Sequence, residues 1–227
     1  MPRWCPDNRG RFHRRPYYRA EELDAECEAL LADFRRATGR ADNVAIETDD
    51  LTVLIERHAG DLDLYADLKE DGPEVEGVTL FAATRKPDVA IAERLTSDDR
   101  RSNRYRTTLS HELGHVILHD PLYQEKLATG DLFAATAEER LICKRDTMVE
   151  APQSDWMEWQ ACYFSGALLM PKRPMIDLAR EHADGVSGTP RAGTDRAVKL
   201  VAATMERFVV SQDAARVRLS VLGLLAA

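Results

Sequence analysis

The apolar positions change period several times along the chain. Over residues 20–38, Leu23, Cys27, Leu30, Leu31 and Phe34 recur at helical spacing, with Gly39 as the stop. A shorter helix follows, capped by Thr48 or Asp49, lined by Leu51, Leu54 and Ile55 and ended by Gly60. The period then falls to two: Leu62, Leu64, Ala66 and Leu68 alternate with Asp61, Asp63, Tyr65 and Asp67, the pattern of a half-buried strand. Glu70-Asp71-Gly72-Pro73 makes a turn, and Val75 to Phe81 and Asp88 to Ala92 predict two more strands joined across Arg85-Lys86-Pro87. Leu109, Leu113, Val116 and Ile117 restore the helical period, with Ser102 or Asn103 as N-cap and Pro121 as the stop. Residues 122–153 predict a short helix near Ala137 to Cys143 and otherwise loop, read as one wall of a substrate cleft. Asp155 to Pro171 is apolar nearly all round and predicts a buried helix.

The remainder is helical. Residues 173–183 predict a helix and Gly185 to Thr194 a polar loop. Asp195 to Phe208 places Ala197, Leu200, Val201, Thr204, Met205 and Phe208 on one face. Ser211 then N-caps a last helix from Gln212 to Leu222. A small twisted sheet followed by helices is an α+β arrangement.

Composition narrows the class. Of 227 residues, 44% are hydrophobic, enough for a real core, yet no apolar run reaches the length of a membrane span. The start is Arg-rich without an apolar h-region, so no secretory signal is read and a cytoplasmic protein is expected. Cys5, Cys27, Cys143 and Cys162 are scattered, which fits a reducing compartment and no cysteine-based zinc site. Residues 1–19 carry a charge of +5 within a total of −8, so the body is acidic and argues against general nucleic-acid binding. The expected organisation is a basic, unstructured arm over 1–19, a core domain over 20–172 and a helical segment over 173–227 with a helix-turn-helix-like end.

The chemistry lies in His111-Glu112-Leu113-Gly114-His115. On a helix, residues four apart share a face and stand about 6 Å apart along the axis. Two imidazoles so placed can ligate one Zn²⁺, with the intervening Glu112 as general base toward water. His119 continues the series but is about 12 Å from His111 along the axis, too far for one ion with bonds of about 2.0–2.1 Å. It is read either as a support for a ligand or as an ordinary helix-end histidine near the negative dipole end.

A catalytic zinc site needs a third protein ligand. Glu158 is the one acid within the apolar run after Asp155, and a buried carboxylate needs a partner. Asp155-x-x-Glu158 also fits a capping box, so ligand and cap stand as equal readings.

TLSHELGHVILH followed by EWQACYFSGALLMP resembles the ImmA/IrrE family of bacterial metallopeptidases, which pairs H-E-x-x-H with a downstream E-x-x-A-N-x-F-A-x-x-L-L-M-P helix. The match is direct at His111, Glu112, His115, Glu158, Ala161, Phe164, Leu168, Leu169, Met170 and Pro171, and departs at Cys162 and at Ser165-Gly166. The resemblance implies a zincin-like α+β metallopeptidase with Zn²⁺ held by His111, His115 and Glu158, and Glu112 as catalytic base. It further implies an endopeptidase whose protein substrate is a helix-turn-helix transcriptional repressor.

Two other functions are weighed. One is a non-proteolytic regulator with a structural zinc site, its FVVSQDAARVRLSVLG end contacting DNA through Gln212, Arg216 and Arg218 or docking a repressor. Glu112 argues against it, because a structural site has no use for that acid. The other is the protease toxin of a toxin–antitoxin pair.

Overall fold

The computed structural model describes residues 2–41, 45–129, 138–144, 155–183 and 188–227. The chain forms two compact units, one of Met1–Leu23 with Thr48–Ser165, the other of Asp24–Glu47 with Gly166–Ala227.

The first unit is built on a four-stranded sheet. Strands β3 (Leu62–Ala66), β4 (Val75–Ala82), β5 (Asp88–Ala92) and β6 (Glu138–Lys144) lie in the order β3-β5-β4-β6. β5 runs parallel to β3 and antiparallel to β4, and β6 runs antiparallel to β4. β4 is an inner strand and almost wholly buried; besides its apolar residues it buries Thr79 and Glu76, the latter paired with Arg104. Helix α1 (Ala20–Thr38) buries Leu23, Cys27, Leu31 and Phe34, helix α2 (Thr48–His58) buries Leu51, Leu54 and Ile55 as expected, and a single-turn helix α3 (Glu93–Thr96) follows β5.

Helix α4 (Ser102–Ala128) is the long helix that carries the motif, and it departs from expectation at both ends. Its start is set by a preceding 3₁₀ turn, in which the Asp98 side chain accepts from the Arg100 amide, so Ser102 and Asn103 lie inside the helix and do not cap it. Pro121 does not end it. Pro121 is on the exposed face, where water can serve the carbonyl that the missing amide leaves unpaired. Beyond it Leu122, Tyr123 and Leu127 pack with Phe12, Phe81, Trp156 and Met157, and the Tyr123 ring stacks on Phe81 with centroids 4.0 Å apart. That burial outweighs the lost hydrogen bond.

Two further expectations are corrected. The segment read as a helix near Ala137 to Cys143 is strand β6 where it is described; Ala137 and the rest of 130–137 and 145–154, with much of the supposed cleft wall, lie outside the described residues. Alternation decides it: β6 pairs along β4 from Ala82↔Glu138 to Val75↔Lys144, with Cys143 buried and its neighbours Ile142 and Lys144 exposed. The arm over 1–19 is also not structureless. β1 (Arg3–Pro6) and β2 (Arg14–Tyr17) form an antiparallel hairpin. Its loop is tied by Asp7, whose carboxylate accepts from the amides of Arg9, Arg11 and Phe12 and from Trp156 Nε1. Burial disfavours the Asp7 carboxylate, but these four donors prevail and hold its pKa below the ordinary value.

Helix α5 (Trp156–Leu169) approaches α4 closely at Gly114, where an added Cβ would stand 3.2 Å from both Ala161 Cα and Phe164 Cδ1. Glycine there lets the two backbones meet. One turn away, Ser110 Oγ and Ser165 Oγ are hydrogen-bonded at 2.6 Å, which fixes the register of the pair.

In the second unit, α6 (Lys172–Glu181), α7 (Asp195–Phe208) and α8 (Gln212–Val221) follow the expected bounds, with Ser211 accepting from the Ala214 amide as N-cap of α8. Val209, at φ 52°, makes the turn between α7 and α8. The polar loop before α7 is described from Gly188 onward. Arg218, one of the three residues read for DNA contact, is 3% exposed and cannot reach DNA: it donates to Asp24 Oδ1 at 2.7 Å and to the Met170 carbonyl at 3.0 Å. Gln212 and Arg216 are exposed. Among the described residues no helix is long and apolar enough to cross a membrane.

Candidate functional site

Helix α4 is buried almost all round over the motif, so His111, Glu112, His115 and His119 are each fully buried. Facing them is Glu158, in the first turn of α5 and 7% exposed. Asp155 Oδ1 accepts from the Met157 amide and so caps this helix, which leaves Glu158 free to turn toward the imidazoles. Asp155 is held in turn by Arg9 and Arg11 of the N-terminal hairpin loop.

Three donors converge. His111 Nε2 lies 3.0 Å from His115 Nε2. Glu158 places Oε2 3.4 Å from His111 Nε2 and Oε1 3.4 Å from His115 Nε2. Ligands about 2.0–2.1 Å from a tetrahedral ion stand about 3.3 Å from one another, so these spacings match such a shell. Burial disfavours the Glu158 carboxylate, yet His115 and His111 outweigh burial and hold its pKa well below the usual range.

Glu112, next to His111, reaches toward the sheet. Its Oε2 accepts from Thr79 Oγ1 at 2.5 Å, while Oε1 is buried with no hydrogen-bond partner among the described residues. Gly77 makes room for it, since a Cβ there would overlap the Glu112 carboxylate. Burial raises the Glu112 pKa against the pull of His115, His111 and Thr79. A buried oxygen without a donor is costly in itself and marks where a polar ligand or water fits. The residues present therefore suit a divalent metal with a carboxylate alongside it.

His119 is buried in the interior of α4, well short of the helix end, so the dipole reading does not apply. Its Nδ1 is 2.9 Å from His115 Nδ1, and its Nε2 is 3.1 Å from Gln160 Oε1. Gln160 Nε2 donates to the Pro16 carbonyl at 2.9 Å. Proton positions follow by elimination. Pro16 can only accept, so the Gln160 amide nitrogen faces it and the amide oxygen faces His119. His119 then donates from Nε2 and accepts at Nδ1, His115 donates from Nδ1, and the His115 Nε2 lone pair is left bare toward Glu158. Burial and the neighbouring His115 push the His119 pKa well below its usual value, consistent with a neutral ring.

Sequence reasoning missed two neighbours of His111. Cys162 Sγ is 3.7 Å from His111 Nδ1, on α5 four residues after Glu158. Cys143, on β6 opposite Gly77, brings its thiol, a His111 nitrogen and a Glu112 oxygen within 4.8 Å of one another. Burial, partly offset by His111, pushes the Cys143 thiol up to about 12, so it is protonated. The helical spacing of Cys162 from Glu158 was a readable signal; Cys143 reaches the site only through strand pairing.

A search of the curated proteins found no match. The family model for the IrrE N-terminal-like domain, peptidase family M78, matches residues 74–220, a span that includes the motif helix and the helix bearing Glu158. The chain belongs to this M78, or ImmA/IrrE, family of metallopeptidases.

Proposed function

We propose that the protein is a zinc-dependent endopeptidase whose substrate is a helix-turn-helix transcriptional repressor, cut so as to relieve repression. The observation that carries the catalytic part is the convergence of His111 Nε2, His115 Nε2 and Glu158 at 3.0–3.4 Å beside the unpartnered Oε1 of Glu112. The substrate class is supported by the likeness of the motif pair to the ImmA/IrrE pattern.

In this reading His111, His115 and Glu158 hold Zn²⁺, which when bound lowers the pKa of water toward about 7 and polarises a scissile carbonyl. Glu112 takes the proton from the attacking water and delivers it to the leaving amine. Thr79 holds one carboxylate oxygen and so aims the other. His119 and Gln160 keep the His115 lone pair directed at the ion.

The test is cleavage of a purified helix-turn-helix repressor by zinc-loaded protein, with the cut mapped by mass spectrometry. A single cut by wild type, absent with Glu112→Gln, is expected. No cut in any such repressor, with general peptide cleavage intact, would overturn the substrate class but not the peptidase.

A further inference from the structure

The catalytic reading leaves Cys143 without a role. It is 1% exposed, and its thiol groups with His111 and Glu112 within 4.8 Å, whereas the other donor group is His111, His115 and Glu158. The two groups share His111. A second observation points to a ligand: Glu112 Oε1, buried in the same cluster, has no hydrogen-bond partner among the described residues. Thiol, imidazole and carboxylate together make a soft-to-borderline donor set that suits Zn²⁺, Co²⁺ or Cd²⁺ and rejects Mg²⁺ or Ca²⁺.

We propose that His111, Glu112 and Cys143 form a second metal-binding set for a thiophilic divalent cation, and that an ion there disables proteolysis by engaging Glu112. This rests on the catalytic reading for Glu112 and His111. On binding, the metal–sulfur bond forms as the Cys143 S–H bond breaks, its proton passing to solvent. The neutral His111 ring has one lone pair to give, so an ion in this set takes His111 in place of the catalytic ion. The Glu112 carboxylate, once coordinated, no longer accepts a proton from water. A thiophilic ion such as Cd²⁺ is thereby an inhibitor that acts through Cys143.

Co²⁺ alone is the probe, added to the full chain under a non-coordinating reductant. Glu158→Gln weakens the catalytic set but leaves all three donors of the second. One equivalent of Co²⁺ is expected to give near-ultraviolet thiolate-to-cobalt absorption in Glu158→Gln. That absorption should vanish entirely in Glu158→Gln/Cys143→Ser and persist in Glu158→Gln/Cys162→Ser. Wild type at one equivalent should show ligand-field bands without it. No thiolate band in Glu158→Gln, or a band that survives loss of Cys143, overturns the proposal. So does a wild-type band at one equivalent that Glu158→Gln weakens, because the sulfur would then sit on the catalytic ion. Failure of the catalytic reading looks different: the band would be present in wild type and unchanged by Glu158→Gln. If Glu158→Gln does not fold, wild type carrying one zinc and given excess Cd²⁺ supplies the same readout. Thiolate-to-cadmium absorption lost in Cys143→Ser supports the second set, and its absence overturns it.

Discussion

His115 Nδ1 and His119 Nδ1 lie 2.9 Å apart, one helical turn from each other, and the hydrogen bond between them has only one direction. Because the chain of bonds ends on the Pro16 carbonyl, His119 must accept from His115. The N-terminal hairpin thus sets the tautomer of a proposed metal ligand. Replacing His119 by Phe removes the acceptor and should lower metal affinity by about 10–100-fold. Competition with a chelator measures it; an unchanged affinity would mean that the relay contributes nothing.

Glu112 and Gly77 are coupled by space. A Cβ at Gly77 would overlap the Glu112 carboxylate, so Gly77→Ala must displace it. Misplacing a reacting group by about 1 Å costs roughly 100-fold in rate. Peptide cleavage should fall by about that factor while metal content stays at the wild-type level. Loss of metal in parallel with activity would show that the substitution disturbs His111 instead.

Asp7 gives a pH signature of stability. Its folded pKa lies below the ordinary 3.8, so its contribution is fully present above that value and is lost as pH falls through the folded pKa. Asp7→Asn should cost about 1–3 kcal/mol at neutral pH, because buried donors lose a charged acceptor. The gap between wild type and variant should close below about pH 4, as the wild-type carboxyl protonates too. Thermal unfolding midpoints from pH 3 to pH 7 test this. A gap that is constant across that range would contradict it.

Arg218 and Asp24 form a buried pair, 3% and 4% exposed. Arg218→Met takes the short contact at 2.7 Å from buried Asp24 and leaves it Lys172 Nζ at 3.9 Å, so it should cost up to about 3–5 kcal/mol. Asp24→Leu/Arg218→Met should cost less than the single change, since the buried carboxylate that lost its guanidinium is then removed as well. Denaturant unfolding of the two variants decides the order.

Much of this architecture is legible from residue spacing. Leu109, Leu113, Val116 and the histidines at 111 and 115 declare one helix, and Ser211 declares the start of another. Glu158 is legible as a lone acid in an apolar helix, although spacing alone cannot tell ligand from cap; the geometry gives capping to Asp155. What is not legible depends on contacts distant in sequence. Pro121 looks like a stop until Tyr123 finds Phe81, 42 positions earlier. Strand β6 carries too few apolar residues to announce its period, and only pairing with β4 sets Cys143 beside His111. The hairpin over 3–17 has no hydrophobic period at all, because its order comes from one carboxylate, Asp7, and one ring, Phe12.

The most direct test is metal per chain in purified wild type and Glu158→Gln. The proposed centre predicts about one zinc in wild type and a marked loss in the variant, since three protein ligands hold a catalytic ion. Full zinc in Glu158→Gln, or none in wild type after zinc is added, would contradict it.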